Sequence, residues 1–266
     1  MNINDFYAQE GEKPLDNLVT DGGFCGIFRT IGCVGDSLSS GELESMSEDG
    51  VRGYHDYFDY SWGQYMARMA GFKAYNFSRG GMTAKEYMES FAEANGFWDP
   101  SLACQGYIIA LGCNDLYGRR YPVGSTDDIC REDYTKNKDS FAGDFAAIIQ
   151  RLKEISPKAR FFLVTLPRAG ETGINKELAD AQAELMNSLA EFFEFTYVID
   201  LRKYGPEYDE KFKKNFYLGG HLNASGYLLT ARMFTSYIDY IIRHNPDDFK
   251  QLGFVGTPFH YHGEKW

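Results

Sequence analysis

The stretch that decides the reading is Thr30-Ile31-Gly32-Cys33-Val34-Gly35-Asp36-Ser37-Leu38-Ser39. It begins apolar and partly β-branched, as a buried strand does, and breaks at Gly35-Asp36-Ser37, which is turn chemistry. A serine just past the end of a buried strand stands where open α/β sheets hold their ligands. That is a position for a nucleophile, and equally the position of an ordinary Asp/Ser turn. The rest of the chain decides between the two.

Outward from this stretch, residues 27–34 read as the first core strand. Phe72 to Phe77, Tyr107 to Leu111, Phe161 to Leu166 and Phe195 to Leu201 supply four more. The run Tyr107 to Leu111 is apolar throughout and closed by Gly112, as in parallel strands buried on both faces. Helical periodicity separates these runs. Ser61-Trp62-Gly63-Gln64 is a capping box, followed by Trp62, Tyr65, Met66 and Met69 on one face. Thr83-Ala84-Lys85-Glu86 is another, leading to Tyr87, Met88 and Phe91. Phe141, Phe145, Ile148, Ile149, Leu152 and Ile155 mark a long amphipathic helix ended by Ser156-Pro157. Asn175 is expected to cap the next helix, whose stripe is Leu178, Ala181, Leu185, Leu189 and Phe192. Asn223 is expected to cap the last, with Tyr227, Ala231, Phe234, Ile238 and Ile241 inward.

Strands alternating with helices predict a parallel sheet covered on both faces. The expected fold is α/β and flavodoxin-like: a three-layer α/β/α domain around a five-stranded parallel sheet of order 2-1-3-4-5. One domain is expected over residues 1–266, with a core of about 27–244. Residues 1–26 read as an arm or short edge strand and 245–266 as a tail. Residues 39–60 read as a long loop over Ser37, with His55 a loop or pocket residue among aromatics. Residues 117–139 read as a lid or substrate loop, and 202–220 as a polar loop leading to His221.

Composition narrows the function. The 266 residues are 44% hydrophobic and 24% charged, which is ordinary for a globular chain long enough to bury a large core. A net charge of −11 argues against nucleic acid or an anionic membrane surface as partner. No run approaches the length of a membrane span. Five cysteines with no CxxC spacing indicate neither a disulfide framework nor a zinc site. His260-Tyr261-His262 has the spacing of a metal pair but no evident third ligand, and reads as plain tail. No metal or cofactor is expected. The first residues carry neither a basic nor an apolar signal region, so the expected compartment is the cytoplasm.

In the expected strand order, the loops after the first and third strands face one crevice. Ser37 lies in the first of these loops, and Gly112-Cys113-Asn114-Asp115 in the third. The loop after the second strand holds Asn76-Phe77-Ser78-Arg79-Gly80-Gly81-Met82-Thr83, and the fifth leads to His221. A hydroxyl, a side-chain amide, a glycine backbone and an imidazole are the parts that acyl transfer needs.

Here the sequence resembles the GDSL, or SGNH, hydrolases. Gly35-Asp36-Ser37-Leu38 is similar to their first block, Asn76 through Gly81 to the second, Gly112-x-Asn114-Asp115 to the third, and His221 to the last. The resemblance covers about residues 28–243. It implies a serine esterase with Ser37 as nucleophile and His221 as base. The oxyanion donors would be the N–H groups of Ser37 and Gly81 and the Asn114 side chain. Short-chain, acetyl-type esters are favoured, with a carbohydrate or other small molecule as the alcohol. The other readings are a lysophospholipase or thioesterase of the same fold, or a non-catalytic binding protein that keeps the crevice. A nucleotide-binding protein fits poorly, because no phosphate-cradling glycine loop follows the first strand.

One block departs from the family pattern. Where the family has an Asp three residues before the His, this chain has Leu218. The resemblance leaves three readings. A backbone carbonyl orients the imidazole, giving a Ser-His dyad. An acid from elsewhere does so, with Asp200, Glu207 and Asp209 as candidates. Or the site is dead.

Overall fold

The computed structural model describes residues 3–259. His260 and His262 therefore lie outside the described residues. Strand β1 (Thr30–Gly35) is fully buried from Ile31 onward and runs through the middle of the sheet. Its start lies three residues later than the sequence suggests, because Gly23–Ile27 turn as a 3-10 helix. After β1 come a one-turn helix α1 (Ser37–Ser40), a hairpin of β2 (Glu42–Met46) and β3 (Arg52–Asp56), and helix α2 (Trp62–Ala70). Strand β4 (Lys73–Ser78) leads to the short helical pieces α3 (Ala84–Glu86) and α4 (Ala92–Ala94). Then come β5 (Gly106–Ala110), α5 (Phe141–Ile155), β6 (Arg160–Val164), α6 (Gly173–Phe192) and β7 (Thr196–Ile199). Two short helices, α7 (Leu201–Tyr204) and α8 (Glu210–Phe216), precede the two-residue strands β8 (Tyr217–Leu218) and β9 (His221–Leu222). Helix α9 (Ala224–His244), the single turn α10 (Pro246–Phe249) and a 3-10 turn at Leu252–Phe254 follow.

The central sheet has the order β4-β1-β5-β6-β7 and its strand pairs are all parallel. Counted as core strands this is the expected 2-1-3-4-5 order. Alternate residues of each strand feed two separate cores, as the period-2 geometry of a strand requires. Ile108 and Phe162 join α2 and α9 on one face; Tyr107, Ile109, Phe161 and Leu163 join α5 and α6 on the other. Trp62 packs its indole 4.9 Å from the ring of Phe234, fixing α2 to α9. Ser61, Thr83 and Asn223 each cap a helix as their sequence context predicts.

Four segments differ from the sequence reading. Residues 39–60 are not a loop: ten of them form the β2–β3 hairpin. Residues 117–139 contain 3-10 turns and are pinned to α5, where Asn137 Nδ2 donates to Gly143 O (2.9 Å) and Gln150 Oε1 (2.8 Å). A segment held this way is part of the scaffold rather than a lid. Residues 202–220 fold into α7, α8 and β8. Helix α6 begins at Gly173 without a side-chain cap, and Asn175 lies inside it, accepting from Arg120 at 2.6 Å.

The arm contains no strand among its described residues. It packs on α9 instead, through Val19 N–H to Ser236 Oγ (2.9 Å) and Phe24 N–H to Asp239 Oδ1 (2.8 Å). Among the described residues no helix is long and apolar enough to cross a membrane.

Candidate active site

The site forms where β1 stops. Asp36 accepts a hydrogen bond from Leu38 N–H (3.1 Å) and so caps α1, which makes Ser37 the first residue of the helix. An N1 residue has no intrahelical acceptor for its N–H, so the Ser37 amide is free for a ligand. Burial pushes the Asp36 carboxyl up to about 6, against the opposing hydrogen bond from Leu38.

His221 reaches Ser37 from the other end of the chain. Strands β8 and β9 pair antiparallel around Gly219-Gly220, and Gly219 has φ +70°, a conformation costly for any other residue. The His221 ring stands with Nε2 3.1 Å from Ser37 Oγ. Its other nitrogen, Nδ1, lies 2.7 Å from Glu44 Oε1. The same Glu44 oxygen accepts from Gly220 N–H at 2.7 Å, and Glu44 Oε2 pairs with Arg52 Nε at 3.3 Å. Burial alone would raise the Glu44 carboxyl; the hydrogen bonds from His221 and Gly220 and the Arg52 charge outweigh it and hold the group below the ordinary glutamate range. Tyr54 lies edge-on to the His221 ring, with 5.9 Å between centroids.

This geometry corrects the reading of the missing acid. The Nδ1 partner is a carboxylate, not a backbone carbonyl, and it is none of the three candidates. Asp200 Oδ1 serves Lys203 N–H (3.0 Å) and Thr165 Oγ1 (3.1 Å) as the cap of α7. Asp209 caps α8 through Phe212 N–H at 2.8 Å. Glu207 is exposed on the connection between them. Both aspartates hold backbone N–H groups that would otherwise be orphaned, and so are occupied structurally. Leu218, at the family's Asp position, is 49% exposed. Glu44 is missed by sequence reading because it sits in a segment that lacks apolar alternation. The available signal was Glu42-x-Glu44 before Asp49-Gly50: a strand with both carboxylates on one face, then a hairpin turn.

The second and third loops close the remaining sides. Gly35 lies beside Ser78 on one flank and Ala110 on the other, so the loops after β4 and β5 open next to Ser37. Gly81 has φ +73°, and its N–H makes no hydrogen bond among the described residues. Asn114 Nδ2 donates to Met82 O at 3.1 Å, joining these two loops and orienting the amide. Arg79, in the loop after β4, pairs with Glu86 (2.6 Å), and Arg120, after β5, donates to Asn175, so both are held within the protein. His55, read as a loop residue, sits in β3 and bonds Ser45 Oγ at 2.8 Å.

Asp115 supports the third loop from beneath. Its Oδ1 accepts from Ala84 N–H (2.8 Å), while Oδ2 is buried with no partner. Burial pushes this carboxyl up to about 7 from an ordinary 3.8. A folded-state value above the unfolded one means that the native state binds the extra proton between those limits, so stability falls as pH rises through that window. Asp115→Asn keeps the Oδ1 acceptor and removes the titration. The stability of the variant relative to wild type is expected to grow between pH 4 and 7, on the order of 1 kcal/mol per pH unit, and then level off. Denaturation at a series of pH values reads this; a difference independent of pH would contradict it.

A small apolar cavity of about 80 Å³ adjoins the site. Asp36 and Leu38, on either side of Ser37, line it, as do Cys113 beside Asn114 and Leu222 beside His221, with Trp62 and Phe234 deeper.

The model of the GDSL-like Lipase/Acylhydrolase family matches residues 33–229, and the chain belongs to that family. By class it is a carboxylic ester hydrolase. Among solved structures, the chain is similar to a family two carbohydrate esterase from Clostridium thermocellum, solved in complex with cellohexaose. The two share 16% identity and a TM-score of 0.56; the match covers 83% of this chain and 65% of that longer one. It is also similar to a family 3 carbohydrate esterase from the same organism (14% identity, TM-score 0.51, 81% and 97% covered). A putative lipolytic protein of the G-D-S-L family from Desulfitobacterium hafniense matches at 14% identity and TM-score 0.50, with 79% and 99% covered. At these identities the likeness is one of fold. No curated protein sequence matches the chain.

Proposed function

We propose that this chain hydrolyses short-chain, acetyl-type esters of carbohydrates through a Ser37-His221-Glu44 triad and an acyl-enzyme. The observation that carries the reading is the unbroken chain of contacts from Glu44 Oε1 through His221 to Ser37 Oγ, 2.7 and 3.1 Å long. Ser37 Oγ attacks the carbonyl carbon as its proton passes to His221 Nε2. Glu44 holds the Nδ1–H tautomer and stabilises the imidazolium. The oxyanion takes hydrogen bonds from the Ser37 and Gly81 N–H groups and Asn114 Nδ2. The imidazolium protonates the leaving alcohol; water then attacks the acyl-enzyme by the reverse route and frees Ser37.

The substrate class rests on two features. The apolar cavity beside Ser37 suits a small acyl group and has little room for a long chain. On the outer side Tyr54, Tyr57 and Tyr60 are exposed along and just after β3, and Tyr54 touches the base. Exposed tyrosines give apolar faces with a polar rim, which suits stacking on sugar rings. The carbohydrate esterases of similar fold support the same choice. A panel of p-nitrophenyl esters and acetylated oligosaccharides tests it: kcat/KM is expected to fall steeply beyond butyrate, and Tyr54→Ala to raise KM for the oligosaccharide more than for p-nitrophenyl acetate. Preference for long acyl chains would overturn it.

Asn114→Ala is expected to lower kcat about 10²–10³-fold, the usual cost of one oxyanion donor. A change confined to KM would make Asn114 a ground-state binding residue instead.

A further inference from the structure

The triad leaves one close contact unexplained. Glu42 Oε1 lies 3.1 Å from His221 Nε2, the same distance as Ser37 Oγ from that nitrogen. The position is imposed by the fold. Glu42 opens β2, two residues before Glu44, so both carboxylates project from one face of the strand toward one imidazole. Tyr227, fully buried, donates its hydroxyl to Glu42 O at 2.7 Å and to Ser37 O at 3.4 Å, locking the two backbones together. The Glu42 side chain is only 11% exposed.

A neutral imidazole that gives its Nδ1–H to Glu44 carries only a lone pair at Nε2. A carboxylate oxygen at that distance would set lone pair against lone pair. The contact is a hydrogen bond only if a proton lies between the two groups, on either atom. Ser37 needs the opposite: its hydroxyl donates to Nε2 only when that proton is absent. The two partners of Nε2 therefore exclude one another.

We propose that Glu42 and His221 share one proton at Nε2 in the resting site, and that Ser37 is activated only after this proton has left to solvent. Glu42 is then a positioning residue that acts through the base; the inference rests on the triad reading above. The proton balance closes without another reactant. One proton leaves the pair. The Ser37 proton then takes its place on Nε2 and goes on to the leaving alkoxide, while Glu42 accepts the Nε2–H bond in between.

The surroundings favour keeping the proton. Glu44 comes from the same strand, Asp56 from β3, and Asp36 from the start of α1; all three carboxyl groups face the pair. From β3, His55 and Arg52 oppose them, Arg52 from beyond Glu44. Tyr54 and, from α9, Tyr227 complete the wall. Burial, then the charges of Asp56 and Glu44, raise the Glu42 carboxyl against the pull of His221.

The test compares wild type, Glu42→Gln and Glu42→Asp by two readouts. One is the pH dependence of kcat/KM on p-nitrophenyl acetate. The other is the NMR titration of the His221 ring, which needs no turnover. In Glu42→Gln both midpoints are expected to fall by about 1 pH unit or more, the usual effect of removing an adjacent opposite charge. The rate relative to plateau, measured one unit below the wild-type midpoint, then rises several-fold. Glu42→Asp keeps the carboxylate and is expected to stay nearer wild type. Midpoints unchanged in Glu42→Gln, or moved equally in Glu42→Asp, would overturn the shared proton. If instead the triad reading is wrong, wild type shows no hydrolysis at any pH, while the ring titration still reports on Glu42.

Discussion

Replacing Ser37 with alanine is expected to lower kcat about 10⁴–10⁶-fold, the range seen when a nucleophile is removed from a triad. The hydroxyl it deletes lies 3.1 Å from His221 Nε2, on a half-buried residue. The local fold rests on other groups. Asp36 caps α1, Ser40 Oγ bonds both Ser37 O and Asp56, and Tyr227 pins the backbone from α9. The midpoint of thermal unfolding should therefore shift little, since substitutions away from packed or capping positions are usually worth within about 0.5 kcal/mol. Steady-state hydrolysis and a melting curve on the same sample check both halves. Activity within tenfold of wild type would remove Ser37 from the chemistry; a collapsed melting curve would make its loss uninformative about the nucleophile.

The second large effect belongs to Glu44. Glu44→Ala is expected to cost about 10³–10⁴-fold in kcat, as for loss of a triad acid. Three contacts go at once: the His221 Nδ1 bond, the Gly220 N–H bond and the pair with Arg52. The ring is then free to hold its proton on Nε2, the wrong tautomer for a base. Glu44→Gln keeps an oxygen that can accept from Nδ1–H and Gly220 N–H but loses the charge, so it should fall between Ala and wild type. Asp200→Asn and Asp209→Asn keep the oxygen that caps each helix and remove only the charge; they are expected to leave stability near wild type and kcat within a few-fold of it. Kinetics across these four variants separate the acids: a large loss of kcat at Asp200 or Asp209 with Glu44→Ala near wild type would reverse the assignment.

The fold was legible because its signals are local. The run Tyr107 to Leu111 is apolar on both strand faces, and Ser61, Thr83 and Asn223 announce helix starts that the structure contains. Strand order followed from the alternation of such elements. Ser37, Gly81, Asn114 and His221 were legible as candidates because each follows a core strand or precedes a helix, and the structure brings Ser37 and His221 into contact. Glu44 was not. Its hairpin is polar on both faces, with exposed Arg52, Tyr54 and His55 opposite half-exposed β2, so no alternation marks it. Glu44 meets His221 through a long-range pairing across 177 positions, and no short window contains that. The same reason hid Glu42. Asp200 and Asp209 drew attention by standing near His221 in sequence, but helix capping already employs them.

The most direct test of the triad is where, and how fast, an electrophile attaches. Treatment with a fluorophosphonate followed by peptide mass spectrometry should give a single adduct, on Ser37. Its rate should fall at least about tenfold in Glu44→Ala and His221→Ala, since activation of the serine needs both, and remain near wild type in Asp200→Asn. No adduct, an adduct on another serine, or a labelling rate indifferent to Glu44 would contradict the account.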